Sequence, residues 1–216
     1  MLNIKDLEPT NFDYLLDETK AVLYCLRTTA PFLSDYCLVG GSALALYLRH
    51  RKSEDLDFFT FADSFDAAQI MQYMRQFSTY EVINKSPDQL DLLLNGVKVT
   101  FFNAKWSFLR PEQLQPLNVA SLSAIAAMKI NVLFVRAKYR DYYDLYCLAK
   151  RGMGVRAMFD CALPIVDGLT FKLFSVALLY IDDIDDDTIA HLEPEEIVDK
   201  KEIRSFFENQ LKAELL

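Results

Sequence analysis

Asp55 and Asp57 flank a single leucine inside Leu38-Val-Gly-Gly-Ser-Ala-Leu-Ala-Leu-Tyr-Leu-Arg-His-Arg-Lys-Ser-Glu-Asp-Leu-Asp-Phe-Phe-Thr60. In an extended segment, residues two apart point to the same face. Both carboxylates therefore project together while Leu56 and Phe58 face the other way. Two like charges held that close repel, and either a proton or a hard divalent cation between them relieves the repulsion. Upstream, the spacing predicts a short apolar strand, a tight Gly40-Gly41 turn and a helix opened by Ser42. Such a turn offers backbone N–H groups at a helix N-terminus, with no side-chain bulk to keep a phosphate away. An anion cradle beside paired carboxylates is equipment for positioning a nucleoside triphosphate and stabilising the charge of phosphoryl transfer.

A second constellation lies at Ser121–Ile130 and Arg136–Tyr146. Lys129 is flanked by apolar residues on a helix that reads as buried, so it must snorkel outward, find a carboxylate or reach an anion. Arg136, Lys138 and Arg140 cluster at the turn between two helices and make a positive patch on an acidic protein. Asp141 and Asp144 stand three apart on the second helix and share a face. Asp141, in the first turn, also fits a capping position.

These residues need a scaffold, and the bulk properties bound it. The chain has 216 residues, 52% of them hydrophobic, enough for one substantial core or two small domains. A formal charge of −8 and a pI near 4.8 argue against indiscriminate binding to nucleic acid or acidic membranes. Cys25, Cys37, Cys147 and Cys161 are widely spaced, and only His50 and His191 could join them. Zinc is not expected, and reduced, buried thiols in a soluble cytoplasmic protein are. The longest apolar stretch near the C-terminus, 169–181, contains Lys172 and is too short to span a bilayer.

Along the chain, 11–27 reads as an amphipathic helix capped by Thr10 or Asn11, and Asp63-Ser64 caps another that runs to Gln76. Strands are expected at 80–84, 89–94 and 97–102, the last two joined by the hairpin signal Asn95-Gly96. Pro111 and Pro116 mark a boundary. Beyond them the pattern turns helical, at 122–136, 140–151, 156–163, 170–180 and 199–213. Between the last two helices, 182–199 holds nine acidic residues and no Lys or Arg. Asp183, Asp185 and Asp187 start like a calcium loop, but Thr188 and Pro194 stand where Gly and the bidentate Glu are needed, so an acidic solvated loop is expected. The fold expected is α/β (α+β): a small mixed-sheet core over 1–105, its helices on one face, then a helical domain over 106–216.

Gly41-Ser42, twelve residues, then Asp55-Leu56-Asp57 resembles the signature of the DNA polymerase beta-type nucleotidyltransferases. The fuller string through His50-Arg51-x-Ser-x-Asp-Leu-Asp-Phe-Phe is similar to the first motif of the AbiEii/AbiGii toxin branch. Ile125-Ala-x-x-Lys129 and Arg140-Asp-x-x-Asp-Leu145 resemble its later motifs in the same order. The resemblance implies metal-dependent transfer of a nucleoside monophosphate from an NTP to an acceptor, tRNA among the candidates, by a helical domain closing over the nucleotide. It implies Mg2+ or Mn2+ on Asp55 and Asp57, with phosphate contacts from Gly41, Ser42, Lys129 and Arg140. Asp144 would be essential to the site, orienting Lys129 or polarising the acceptor, and a cognate antitoxin would be a partner. Two departures stand out. Ala124 replaces an acid five residues before the Lys, and Thr100 sits where a third metal carboxylate is usual, leaving Asp91 on the preceding strand as the substitute. These departures keep a degenerate nucleotide-binding or protein-interaction module as the alternative.

Overall fold

The computed structural model describes residues 7–109, 117–186 and 188–214. The chain divides into two compact units, Pro9–Leu46 with Lys52–Ala120, and Tyr47–Arg51 with Ser121–Leu216. Among the described residues there are six strands in one mixed sheet and eight α-helices, none long and apolar enough to cross a membrane. The proline pair Pro111 and Pro116, read from sequence as a boundary, lies outside the described residues, as does Asp187.

In the first unit, α1 (Asp17–Thr29) precedes β1 (Cys37–Val39), α2 (Gly40–Leu48), β2 (Leu56–Thr60) and α3 (Ala67–Met74). Strands β3 (Tyr80–Lys85), β4 (Gln89–Leu94), β5 (Val97–Asn103) and β6 (Asn118–Val119) follow. The strand order is β3-β4-β5-β2-β1-β6, with β5 parallel to β2, β6 parallel to β1 and the remaining pairs antiparallel. Parallel pairing of β5 with β2 is possible because the intervening α3 and hairpin bring the chain back in the same direction. At the hairpin, Asn95 and Gly96 both take positive φ, 47° and 85°, matching the twist of the flanking strands.

The two faces of the sheet differ. Leu56, Phe58, Val99, Phe101, Leu90, Leu92 and Leu38 are fully buried. Phe58 and Phe101 stack across the β2–β5 pair at 5.4 Å, and Phe32 and Tyr36 meet Phe101 edge-on. The other face carries Asp57, Thr100, Asp91, Phe59 and Phe102, set there by the period-two alternation of the strands.

Helix starts depart from the sequence reading where backbone groups are used elsewhere. Residues expected to open α1 form a short 3-10 turn, Phe12–Tyr14, and then bridge Ser53. Leu16 N–H donates to the Ser53 carbonyl, and Ser53 N–H donates to that of Tyr14, both at 3.0 Å, so helical bonding starts only at Asp17. For α3 the cap is Asp66, not Asp63-Ser64, because its Oδ1 accepts the Gln69 N–H at 2.9 Å. Strand β6 was not legible at all: two residues carry no periodicity.

The second unit packs α4 (Leu122–Arg136), α5 (Tyr139–Lys150), α6 (Val155–Ala162), α7 (Phe171–Leu179) and α8 (Lys200–Ala213). Tyrosines of α5 tie it to the others. Tyr139 donates to the Val198 carbonyl, and Tyr142 to that of Ala177 at 2.9 Å. The acidic 182–199 segment is anchored more firmly than a free loop. Glu195 N–H donates to the His50 carbonyl at 2.7 Å, and Arg151 and Lys150 pair with Glu195 and Glu196, each at 2.6 Å.

A Cβ at Gly96 would meet nothing within 4 Å, so Gly96→Ala tests backbone conformation alone. The left-handed geometry should cost roughly 1–2 kcal/mol, read as a lower urea midpoint with unchanged slope.

Candidate nucleotidyltransferase site

In the sheet unit the site assembles around a close approach of backbone to carboxylate. Gly40 has φ +69°, and a Cβ there would stand 2.7 Å from Asp57 Oδ2. Only glycine meets both demands, a left-handed backbone and an empty side-chain position. The Asp57 carboxylate thus lies against the first turn of α2, whose leading N–H groups have no intrahelical acceptors. Gly41 is half-exposed there.

Ser42 is 1% exposed, and its hydroxyl is engaged inside the protein. Its Oγ–H donates to the Asp55 carbonyl, and Oγ lies 3.0 Å from Ser53 Oγ in a second hydrogen bond. Helix α2 therefore opens at Gly40, and the Ser42 side chain fastens the segment entering β2 instead of capping the helix. Asp55 itself precedes β2, which begins at Leu56; both Asp55 and Asp57 are half-exposed.

The register fixes what sequence left open about Asp91. Asp57 pairs with Thr100, and Thr100 pairs with Asp91, so the three side chains share one row and one face. Asp91 stands two strands from Asp57, a backbone separation of about 10 Å. It is buried and accepts from Asn84 Nδ2 at 3.2 Å and Gln89 Nε2 at 2.9 Å. Among the described residues no three metal-ligating side chains cluster. The half-exposed carboxylates of Asp55 and Asp57 are hard oxygen donors and nevertheless fit a magnesium-type ion, which takes one or two protein carboxylates and completes its shell with water and substrate phosphates.

The helical unit holds a different assembly. Asp144 is completely buried and accepts from Arg51 Nε at 2.7 Å, Arg51 Nη2 at 2.8 Å and His50 Nε2 at 2.8 Å. Lys129 Nζ lies 2.7 Å from Asp144 Oδ2 and 2.7 Å from Asp141 Oδ1. Of the three fates open to Lys129, it takes the carboxylate. Asp141 Oδ2 also accepts the Lys138 N–H at 3.2 Å, closing the first turn of α5. Arg140, beside it, is half-buried.

Burial alone would raise the Asp144 pKa, but Arg51, Lys129 and the His50 hydrogen bond outweigh it and hold the carboxyl well below its ordinary value. Burial would lower the Lys129 pKa, and Asp141 and Asp144 overcome that, keeping it charged. Two cations and two anions make the cluster electrically neutral, provided His50 is neutral. It is: burial depresses its pKa more than Asp144 raises it. Because a carboxylate only accepts, His50 carries its proton on Nε2, and Nδ1 is buried with no hydrogen-bond partner among the described residues. Sequence reading did not single out His50 and Arg51 as partners of Asp144. They stand in the polar run Arg49–Asp55, where no local pattern marks either for burial.

The family model for the AbiEii nucleotidyl transferase toxin of type IV toxin–antitoxin systems matches this chain over residues 21–113 and 97–168. An uncharacterized protein of Aquifex aeolicus (strain VF5) is 30% identical over 185 residues, 82% of this chain and 90% of that one. The chain belongs to the AbiEii family. That membership makes it a nucleotidyltransferase of the toxin class. Solved structures of similar fold include MenT4, a nucleotidyltransferase toxin of Mycobacterium tuberculosis H37Rv, at TM-score 0.59 and 19% identity, covering 88% of this chain and 80% of that one. JHP933 of Helicobacter pylori gives 0.58 at 18% identity, covering 94% and 92%. Another H. pylori structure, described as a putative nucleotidyltransferase, gives 0.56 at 19%, covering 89% and 92%.

Two outcomes follow for this AbiEii protein. Arg51→Met should cost about 3–5 kcal/mol, because Lys129 alone then faces both Asp141 and Asp144 and one buried negative charge is left unmatched, measured by urea unfolding. The depressed His50 pKa means that the unfolded chain binds a proton which the folded chain refuses. Stability should therefore fall as pH drops below about 6.5, by at most ~1.4 kcal/mol per pH unit. His50→Gln should flatten that part of a melting-temperature profile.

Proposed function

We propose that this AbiEii protein transfers a nucleoside monophosphate from an NTP to an RNA acceptor with release of pyrophosphate, using Mg2+ or Mn2+. The observation that carries the reading is the Asp57 carboxylate lodged against the side-chain-free Gly40 at the start of α2. Asp55 and Asp57 would hold the cation. When bound, it supplies charge neutralisation on the triphosphate and a lower barrier at the α-phosphorus. The acceptor oxygen forms its bond to that phosphorus as the bond to the pyrophosphate oxygen breaks.

Gly41 and the first-turn N–H groups of α2 are suited to a phosphate, by the partial positive charge of a helix N-terminus and the absence of bulk. Ser42 contributes differently. Its hydroxyl is spent on Asp55 and Ser53, so it positions the carboxylates and leaves phosphate contact to backbone. Lys129 and Asp144 are bound to each other and to Arg51 and Asp141. They support the reaction by holding the helical unit in one arrangement. Type IV toxin–antitoxin membership supports a cognate antitoxin as a partner.

An RNA acceptor is supported by the α4–α5 corner. Arg136 and Lys138 are exposed there, next to Phe134 at 42% and Val135 at 75% exposure. Cations beside an open aromatic ring suit a strand with anionic backbone and flat bases. Such a patch on a chain of charge −8 attracts polyanions locally against the overall field.

The decisive experiment incubates purified protein and divalent cation with α-labelled NTPs and total RNA. Label should move to RNA, and NTP should raise the melting temperature only when the cation is present. Asp55→Asn combined with Asp57→Asn should abolish both effects, and retention of the cation-dependent shift in that variant would refute the assignment. Separately, Lys138→Glu should weaken RNA binding and reduce the slope of log affinity against log salt by about 1. NTP binding should be untouched. Labelling of protein with no labelling of RNA removes the RNA acceptor.

A further inference from the structure

The sheet face that carries Asp57 also carries aromatic rings that the chemistry above does not use. Phe59 follows Asp57 by two residues on β2, Phe102 follows Thr100 by two on β5, and the two phenylalanines are register partners. Their ring centroids lie 5.1 Å apart at 78°. Trp106 adds to them, 6.3 Å from Phe59, and stacks on Phe108 at 5.7 Å and 20°. One residue earlier on the same strands, Phe58 and Phe101 are 0% exposed and serve the core. In contrast, Phe59, Phe102 and Trp106 are half-buried and Phe108 is 40% exposed.

The strand supplies a ruler. Phe59 stands roughly 6.7 Å along β2 from Asp57, on the same face, at 3.3–3.4 Å per residue. The ribose of a nucleotide separates its α-phosphate from its base by a comparable span. A ligand with an anionic end and a flat, weakly polar end matches this face. The anion meets the carboxylate-held cation and the helix N-terminus, and the flat end meets the rings. Resting on the assignment of Asp55 and Asp57 to the metal–phosphate end, we infer that Phe59, Phe102, Trp106 and Phe108 form the stacking platform for the base of the NTP. Every base presents a π-face, so such a platform accepts all four.

Trp106 is the only tryptophan, so its fluorescence reads the platform directly. The full chain with Mg2+ is titrated with each NTP, with inorganic tripolyphosphate and with a short oligoribonucleotide. Each NTP should quench Trp106. Tripolyphosphate should bind, seen as a thermal shift and as competition with NTP, without quenching. Phe108→Ala, at the exposed ring, should weaken NTP binding about tenfold, as expected for loss of one base–aromatic stack. It should leave the tripolyphosphate shift unchanged. Phe102→Leu supplies a second variant with the same expectation, and thermal melts check that both are folded. Unquenched Trp106 with NTP bound, or unaltered NTP affinity in both variants, overturns the platform while the metal–phosphate assignment stands. Failure of the wild-type chain to bind either NTP or tripolyphosphate overturns the two together. Quenching by the oligoribonucleotide but not by NTPs gives the base to the acceptor and overturns the assignment to the NTP.

Discussion

A fully buried carboxylate is tolerable only if its charge is matched on the spot, and Asp144 imposes that condition on the helical unit. Arg51 meets it with two hydrogen bonds, Lys129 with an ion pair and His50 with its Nε2–H. Lys129 in turn needs Asp141, which also closes the start of α5. Every member is therefore fixed by the others, and a pair of buried cations is neutralised by a pair of buried anions. This explains why 47–51, far from 121–216 in sequence, belongs with that unit.

The string 38–60 does two jobs as a result. Its ends, Gly40 to Ser42 and Asp55 to Asp57, build the carboxylate and helix-terminus arrangement of the sheet unit. Its middle, His50-Arg51, is consumed by Asp144. Ser42 and Ser53 link the two ends by hydrogen bonds, so the carboxylates sit on a clamped segment and not on a loose loop. Clamping lowers the entropy lost on binding a cation or phosphate there.

The sheet separates structural and functional needs by its alternation. One face is a closed aromatic and aliphatic core; the other keeps Asp57, Phe59 and Phe102 half-open. Adjacent residues in one short strand thus serve stability and ligand contact without competing, because a strand turns successive side chains to opposite sides. The same alternation places Thr100 beside Asp57 and moves Asp91 one strand further, where amide side chains occupy its oxygens.

Much of this was decided by sequence alone. Periodicity of 3.6 marked the C-terminal helices to within a residue or two, and Asn95-Gly96 placed the hairpin, because these signals come from neighbours along the chain. The same local logic placed Asp57 on a strand after Gly40-Gly41, although Asp55, expected on that strand too, falls just before it. Two strings in the right order pointed to the AbiEii family. What sequence could not decide were contacts between distant residues. The choice of Lys129 among three fates, the pairing of His50-Arg51 with Asp144, the row joining Asp57 to Asp91 and the use of Ser42 on Asp55 all depend on register and packing. Those are fixed only when strands far apart in the chain align and when a buried charge must find its partner, and no local pattern encodes either.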